Sequence, residues 1–253
     1  MGLILNPGAY GPLPTFFNEK QEIDYGSYEK HLLNLARRGI NPVCAGSLGE
    51  AVHLSPEERV DLIKFIRRTL DDAGLTDMPI VAGVGGSSTR ETVKLAHAAG
   101  NAGADAGLVI LPAYYAASLS TDQNQIIQYY VDICKESPIP LFLYNFPANA
   151  GGLDMSSAVI EAVIRQAPNL CGVKLTGGHG TVSGIPNFAP AASMRLWALL
   201  IKPNLTEDER QEADRIQSIL SNADVAAVPA GVRGMITWIW DRPQKALVET
   251  GRN

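Results

Sequence analysis

An α/β fold around a parallel sheet is what the sequence predicts, and a TIM (β/α)8 barrel is the parallel architecture that fits it best. Short apolar runs alternate with longer amphipathic stretches almost from end to end. That is the pattern of strand–helix units whose strands are buried on both faces. The 253 residues match the roughly 250 that such a barrel uses. The first strand is followed by Asn18-Glu19-Lys20-Gln21-Glu22, not by the glycine-rich phosphate loop of a doubly wound open sheet.

The strand-like runs are Ala9–Phe17, Asn41–Gly46, Pro79–Val84, Ala106–Leu111, Ile139–Tyr144 and Leu170–Leu175, bounded by Gly, Pro or Asn. The helices between them announce their starts. Ser55-Pro56-Glu57-Glu58 reads as a capping box with proline at the first helical position. Ser88…Glu91, Ser120…Gln123 and Thr206…Glu209 repeat the spacing. After Ser55, residues Leu62, Ile63, Ile66 and Leu70 share one helical face. After Ser120, residues Ile126, Ile127, Tyr130 and Val131 do the same. No linker or low-complexity tract interrupts the chain, so the expectation is one barrel domain over 1–253, with a C-terminal helical extension over about 190–253.

Composition narrows the function. The chain is 46% apolar and 19% charged, with a net charge of −5. It can build a core, and it lacks the basic runs that nucleic acid or an anionic membrane would need. No apolar run approaches the ~18–20 residues of a membrane span. Cys44, Cys134 and Cys171 are too few and too scattered for a disulfide framework or a zinc site, which points to a reducing compartment. Met1–Asn6 has neither the basic start of a signal peptide nor the arginines of a transit peptide, so a cytoplasmic protein is expected, with the mitochondrion as the alternative. His31, His53, His97 and His179 show no ligand spacing, and no metal is expected. Trp238 and Trp240 read as core or interface residues.

Four segments could carry chemistry. Gly83-Val84-Gly85-Gly86-Ser87-Ser88 matches no phosphate-loop pattern and reads as a tight strand-to-helix turn ending in an N-cap. Lys174 closes Leu170-Cys171-Gly172-Val173-Lys174-Leu175, where strand alternation puts Leu170, Gly172 and Lys174 on one face. If that face lines the barrel, Lys174 sits at the carboxyl end, where barrel active sites form. Burial there favours the neutral amine, which can attack a ketone. A lysine snorkelling from the strand end is the alternative. Tyr144 ends the preceding strand, beside Lys174, and a phenol there can shuttle protons. Gly46-Ser47-Leu48-Gly49-Glu50 offers backbone N–H groups and the Ser47 hydroxyl, a small anion site suited to a carboxylate.

With these residues in place the chain resembles a known family, the pyruvate-dependent class I aldolases typified by dihydrodipicolinate synthase and N-acetylneuraminate lyase. Gly46–Glu50 resembles the family's G-[ST]-x-G-E, and Pro112-Ala113-Tyr114-Tyr115 its tyrosine pair. Tyr144-Asn145-Phe146-Pro147 resembles its Y-x-x-P, and Gly172-Val173-Lys174 its G-x-K. The resemblance implies a (β/α)8 barrel, a homotetramer built as a dimer of dimers, and no cofactor beyond a covalent imine on Lys174. It implies Tyr144 as proton donor and acceptor. Ser47 would bind the pyruvate carboxylate or relay protons, and Leu48 would lend its backbone N–H. Tyr115 would complete the relay, in many members across a subunit contact, and Val182 would line the pyruvate pocket. The partners implied are a small 2-oxo acid and an aldehyde.

The chain departs from the family pattern in three places. Asn149 stands where dihydrodipicolinate synthases carry an arginine that grips the aldehyde's carboxylate, so that salt link is missing. Leu48 replaces a hydroxyl residue. Pro138–Gly152 looks closer to 4-hydroxy-2-oxoglutarate aldolases, with 2-keto-3-deoxy-sugar-acid aldolases also near. Retro-aldol release of pyruvate is therefore the expected reaction. Finally, Lys174-Leu175-Thr176 runs directly into Gly177-Gly178-His179-Gly180-Thr181-Val182-Ser183-Gly184, which resembles the family's strand-eight stretch. About one βα repeat, the strand-seven region, is absent. Strand number and shear are linked in a barrel, so strand six must pair with strand eight or leave an open edge. A truncated, catalytically impaired member and a dihydrodipicolinate synthase are the alternatives.

Overall fold

All six apolar runs form parallel strands, each shorter than or as long as its run. The computed structural model describes residues 5, 8–167, 169–175, 190–227 and 238–239. The strands are β1 (Ala9–Pro12), β2 (Ile40–Cys44), β3 (Val81–Gly83), β4 (Ala106–Ile110), β5 (Leu141–Asn145) and β6 (Leu170–Leu175), hydrogen-bonded in sequence order. The helices are α1 (Tyr25–Ala36), α2 (Pro56–Asp72), α3 (Thr89–Ala102), α4 (Ala116–Leu119), α5 (Gln123–Glu136), α6 (Ser157–Gln166), α7 (Pro190–Leu200) and α8 (Glu207–Ala227).

Strand alternation divides the buried residues into two layers. Tyr10, Val43, Val81, Leu108, Phe142 and Tyr144 meet on one face of the sheet, the inside of a curled half-barrel. The opposite face, with Cys44, Ala82, Val109, Leu141 and Leu143, packs against the helices. This is a TIM-barrel-like arrangement with C-terminal helices. Among the described residues β6 pairs only with β5, and the outer edge of β1 is taken by β7 (Trp238–Ile239), which runs antiparallel to it. The stretch from Thr176 to Gly184 lies outside the described residues, as does Trp240.

β6 departs from simple alternation. Leu141 pairs with Leu170 but Phe142 pairs with Gly172, so Cys171 is an extra residue in a bulge. Leu170 therefore joins Val173 in the helix-facing layer, not Gly172 and Lys174 as alternation predicts. Cys171 packs inside with Tyr144. The bulge shifts parity by one residue and leaves Lys174 opposite Tyr144.

Three of the four helix starts behave as their spacing predicts. The Ser55 hydroxyl accepts from the Glu58 amide at 3.1 Å, and Glu58 accepts from the Ser55 amide at 2.7 Å. Thr206 and Glu209 make the same reciprocal pair. Ser88 caps α3 by accepting from the Glu91 amide, while the Glu91 carboxylate takes the Ser87 amide. The Ser120 expectation is corrected: Ser120 ends α4, and Asp122 caps α5 by accepting from Asn124. A carboxylate one residue before the helix wins the cap over a hydroxyl three residues away. The buried face of α5 is Ile126, Tyr129, Tyr130 and Ile133, with Ile127 and Val131 half-buried.

After the sheet, α7 and α8 pack on each other through Leu196, Leu199 and Ala213, flanked by the Arg195–Glu212 and Lys202–Glu209 ion pairs. No helix among the described residues is long and apolar enough to cross a membrane.

Candidate active site

Lys174 and Tyr144 are direct partners across β5 and β6, and both point into the half-barrel. Lys174 is 6% exposed and Tyr144 2% exposed. The Lys174 Nζ stands 3.4 Å from the centroid of the Tyr144 ring, over its face. Next to it is a cavity of about 20 Å³ lined by Pro12, Val43, Val81, Leu108 and Phe142, room for about one water.

This apolar setting governs both titrations. Loss of water pushes the Lys174 amine well below the usual lysine range, because an ammonium is costly where nothing solvates it. The same loss holds the Tyr144 phenol well above its usual range, and the Ser47 hydroxyl opposite pulls it part of the way back. The two groups face each other without meeting hydrogen-bond geometry. The Tyr144 Oη is sealed from solvent and makes no hydrogen bond among the described residues.

Ser47 arrives on the loop after β2. The chain turns at Ala45 (φ 47°), runs through Gly46–Gly49, and turns again at Glu50 (φ 55°) into the 3-10 turn Ala51–His53. Both turns are left-handed at residues that are not glycine, a conformation kept only where the surroundings enforce it. Gly83 of β3 lets the loop approach: a Cβ there would stand 1.8 Å from the Ala45 carbonyl oxygen. The Thr15 hydroxyl donates to the Gly49 carbonyl at 2.7 Å.

The structure thus brings together three of the expected site residues, Lys174, Tyr144 and Ser47, with Leu48 half-buried next to Ser47. Tyr115 stands apart. It precedes α4, is 69% exposed, and packs edge-on against Tyr114 at 4.9 Å. Val182 lies outside the described residues. Asn149 ends the 3-10 turn Pro147–Asn149 and is exposed. The Gly83–Ser88 segment is a turn leading to the Ser88 cap.

Sequence reasoning missed three supporting residues. Asn145, next to Tyr144, clamps the following loop: its carboxamide donates to Asp154 at 2.7 Å and accepts from the Met155 amide at 3.2 Å. Thr15 was one polar residue inside an apolar run, and that exception was its signal. Arg59, on the first turns of α2, donates to the carbonyls of Ala51 and Gly85. It reads in sequence as an ordinary exposed helix residue.

Known proteins show the family. The model of the dihydrodipicolinate synthetase family matches residues 7–185. A probable mitochondrial 4-hydroxy-2-oxoglutarate aldolase from Emericella nidulans is 34% identical over 262 aligned positions, covering 90% of this chain and 82% of that protein. An L-threo-3-deoxy-hexylosonate aldolase from Hypocrea jecorina is 31% identical over 271 positions, covering 90% and 84%. Both alignments are longer than this chain, so both relatives carry residues that it lacks. Dihydrodipicolinate synthase from Acinetobacter baumannii, solved with pyruvate, superposes with a TM-score of 0.73 at 28% identity, covering 87% of this chain and 82% of that one. The chain belongs to the dihydrodipicolinate synthetase family, on the side of it whose members are carbon–carbon lyases of the aldolase type.

Proposed function

We propose that this aldolase works through an imine on Lys174, cleaving a 2-oxo acid such as 4-hydroxy-2-oxoglutarate or a 2-keto-3-deoxy sugar acid to pyruvate and an aldehyde. The observation that carries the reading is the desolvated Lys174 amine set against the Tyr144 phenol. Burial shifts the amine toward its neutral, nucleophilic form.

The lone pair of Lys174 adds to the C2 carbonyl of the oxo acid. Tyr144 protonates the carbinolamine hydroxyl, and water leaves to give the protonated imine. The C3–C4 bond then breaks with its electron pair drawn into the imine. The C4 hydroxyl returns its proton to the Tyr144 oxygen, and the aldehyde departs. Tyr144 protonates the enamine at C3, and water adds back to the imine, returning a proton to Tyr144 and releasing pyruvate. The high pKa of Tyr144 suits a group that starts each cycle as an acid. Ser47 and the Leu48 backbone N–H receive the carboxylate, with Val182 lining the pyruvate pocket. Tyr115 completes the relay across a subunit contact in a homotetramer. No cofactor is needed, since the imine is the electron sink.

Asn149 takes away the cation that would hold a carboxylate on the aldehyde half, which speaks against dihydrodipicolinate synthesis and, by the same argument, favours a 2-keto-3-deoxy sugar acid over 4-hydroxy-2-oxoglutarate, whose aldehyde half carries a carboxylate. The unpaired thiols of Cys44, Cys134 and Cys171 fit a reducing compartment, either the cytoplasm or the mitochondrial matrix.

The test is pyruvate release, read by lactate dehydrogenase, from 4-hydroxy-2-oxoglutarate and from 2-keto-3-deoxy sugar acids. Release from at least one is expected. The second reading, a catalytically impaired member, is favoured by the residues this chain lacks relative to its relatives. No release from any of them, with aggregation or a broad melt, would support it.

A further inference from the structure

The loop that carries Ser47 is held from outside. Its left-handed turns at Ala45 and Glu50 need external contacts to persist. The Thr15 hydroxyl supplies one, at Gly49. Arg59 supplies another, and it does so at a cost. Its guanidinium is partly buried, which lowers its basicity against the favourable field of Glu91, and its Nε is sealed from solvent with no hydrogen-bond partner among the described residues. Nη2 donates to the Ala51 carbonyl at 2.5 Å, on the loop after β2. Nη1 donates to the Gly85 carbonyl at 3.3 Å, on the loop after β3. One planar fork thus ties two active-end loops together, a geometry that a lysine ammonium does not reproduce.

We infer that Arg59 is a positioning residue: by tying the Gly46–His53 loop to the Gly83–Ser88 turn it holds Ser47 opposite the Tyr144 phenol. The inference rests on the proposed roles of Ser47, which receives the substrate carboxylate, and of Tyr144, which moves the protons. Arg59 touches neither substrate nor reacting atoms, so its effect passes through Ser47.

The experiment is a double-mutant cycle between Arg59→Met and Ser47→Ala, read by kcat, by thermal melting and by borohydride trapping of pyruvate. Arg59→Met is expected to lower kcat by on the order of 10²-fold, the scale of an ångström misplacement. In the Ser47→Ala background it should cost little further, while lowering Tm equally in both backgrounds. Arg59→Lys, which keeps charge and most of the bulk, should lose kcat in the same direction and covers the case in which the Met variant does not fold. An unchanged kcat, or losses that multiply with those of Ser47→Ala, overturns the inference and leaves Arg59 a structural pin. Arg59→Met should still trap pyruvate on Lys174. A wild-type chain that traps none contradicts the imine reading instead, which separates the two failures.

Discussion

The Lys174 amine lies 3.4 Å from the centroid of the Tyr144 ring, facing its π surface, not its hydroxyl. Two effects compete there. The ring quadrupole favours an ammonium by about 2 kcal/mol where water is excluded, and the exclusion of water itself disfavours it. The exclusion of water drives the Lys174 amine well below the usual lysine range. Burial thus biases the pair toward an uncharged amine beside a protonated phenol, the two forms an imine-forming cycle starts from.

That shift makes Lys174 a stability liability with a defined pH signature. The unfolded chain carries the ammonium up to the ordinary value of 10.5, whereas burial in the folded chain makes the amine give up its proton well below that value. The unfolded state thus binds the extra proton, and stability rises with pH until 10.5. Lys174→Met removes the liability. It should raise Tm near pH 6, and the gain should shrink toward pH 9 by up to about 1.4 kcal/mol per pH unit above the folded pKa. Melting curves of both proteins across that range check this; a gain that does not vary with pH contradicts it.

Tyr144→Phe separates chemistry from packing. The ring under Lys174 stays, and a buried hydroxyl without a hydrogen bond is removed. Stability should hold or rise by about 1 kcal/mol, while kcat for pyruvate release falls by about 10²–10⁴-fold. Steady-state rates and a melt on the same sample read both. Full activity in this variant would remove Tyr144 from the relay.

Gly83→Ala tests the loop against the sheet. The added Cβ would stand 1.8 Å from the Ala45 carbonyl oxygen, so either the strand or the Ser47 loop must move. A loss of about 1–3 kcal/mol or more is expected. Gly46→Ala is the control, because nothing lies within 4 Å of its Cβ. Equal melting temperatures for the two variants would argue against the close approach.

Tyr114 and Tyr115 are 86% and 69% exposed and stack edge-on, a surface that assembly would cover. If the chain forms the tetramer proposed above, the Tyr114→Ser/Tyr115→Ser double variant should elute as a smaller species on size-exclusion chromatography. An unchanged mass would place the subunit contact elsewhere.

Much of this was legible in the chain. Buried parallel strands leave short apolar runs, and all six were found, with ends that differ from the runs: β2 starts one residue earlier, at Ile40, and β5 ends one residue later, at Asn145. Ser55, Ser88 and Thr206 marked helix starts because a hydroxyl and a carboxylate three residues apart satisfy backbone amides locally. Lys174 and Tyr144 could be paired because neighbouring strands in a parallel sheet share a rim. What escaped depends on long-range geometry. The bulge at Cys171 has no local signature, yet it decides that Leu170 faces the helices. The left-handed turns at Ala45 and Glu50 sit in a loop held from other elements, by Thr15 at Gly49 and Arg59 at Ala51, with Gly83 leaving room for it. Arg59 itself is silent in sequence because its partners are backbone carbonyls, which any residue supplies.

The central claim is that the Lys174 amine forms an imine with pyruvate, and borohydride reduction followed by peptide mass mapping tests it most directly. The account predicts a stable pyruvate-derived adduct on the peptide containing Lys174, absent without pyruvate and absent in Lys174→Met. No adduct at saturating pyruvate, or an adduct on another lysine, would contradict it.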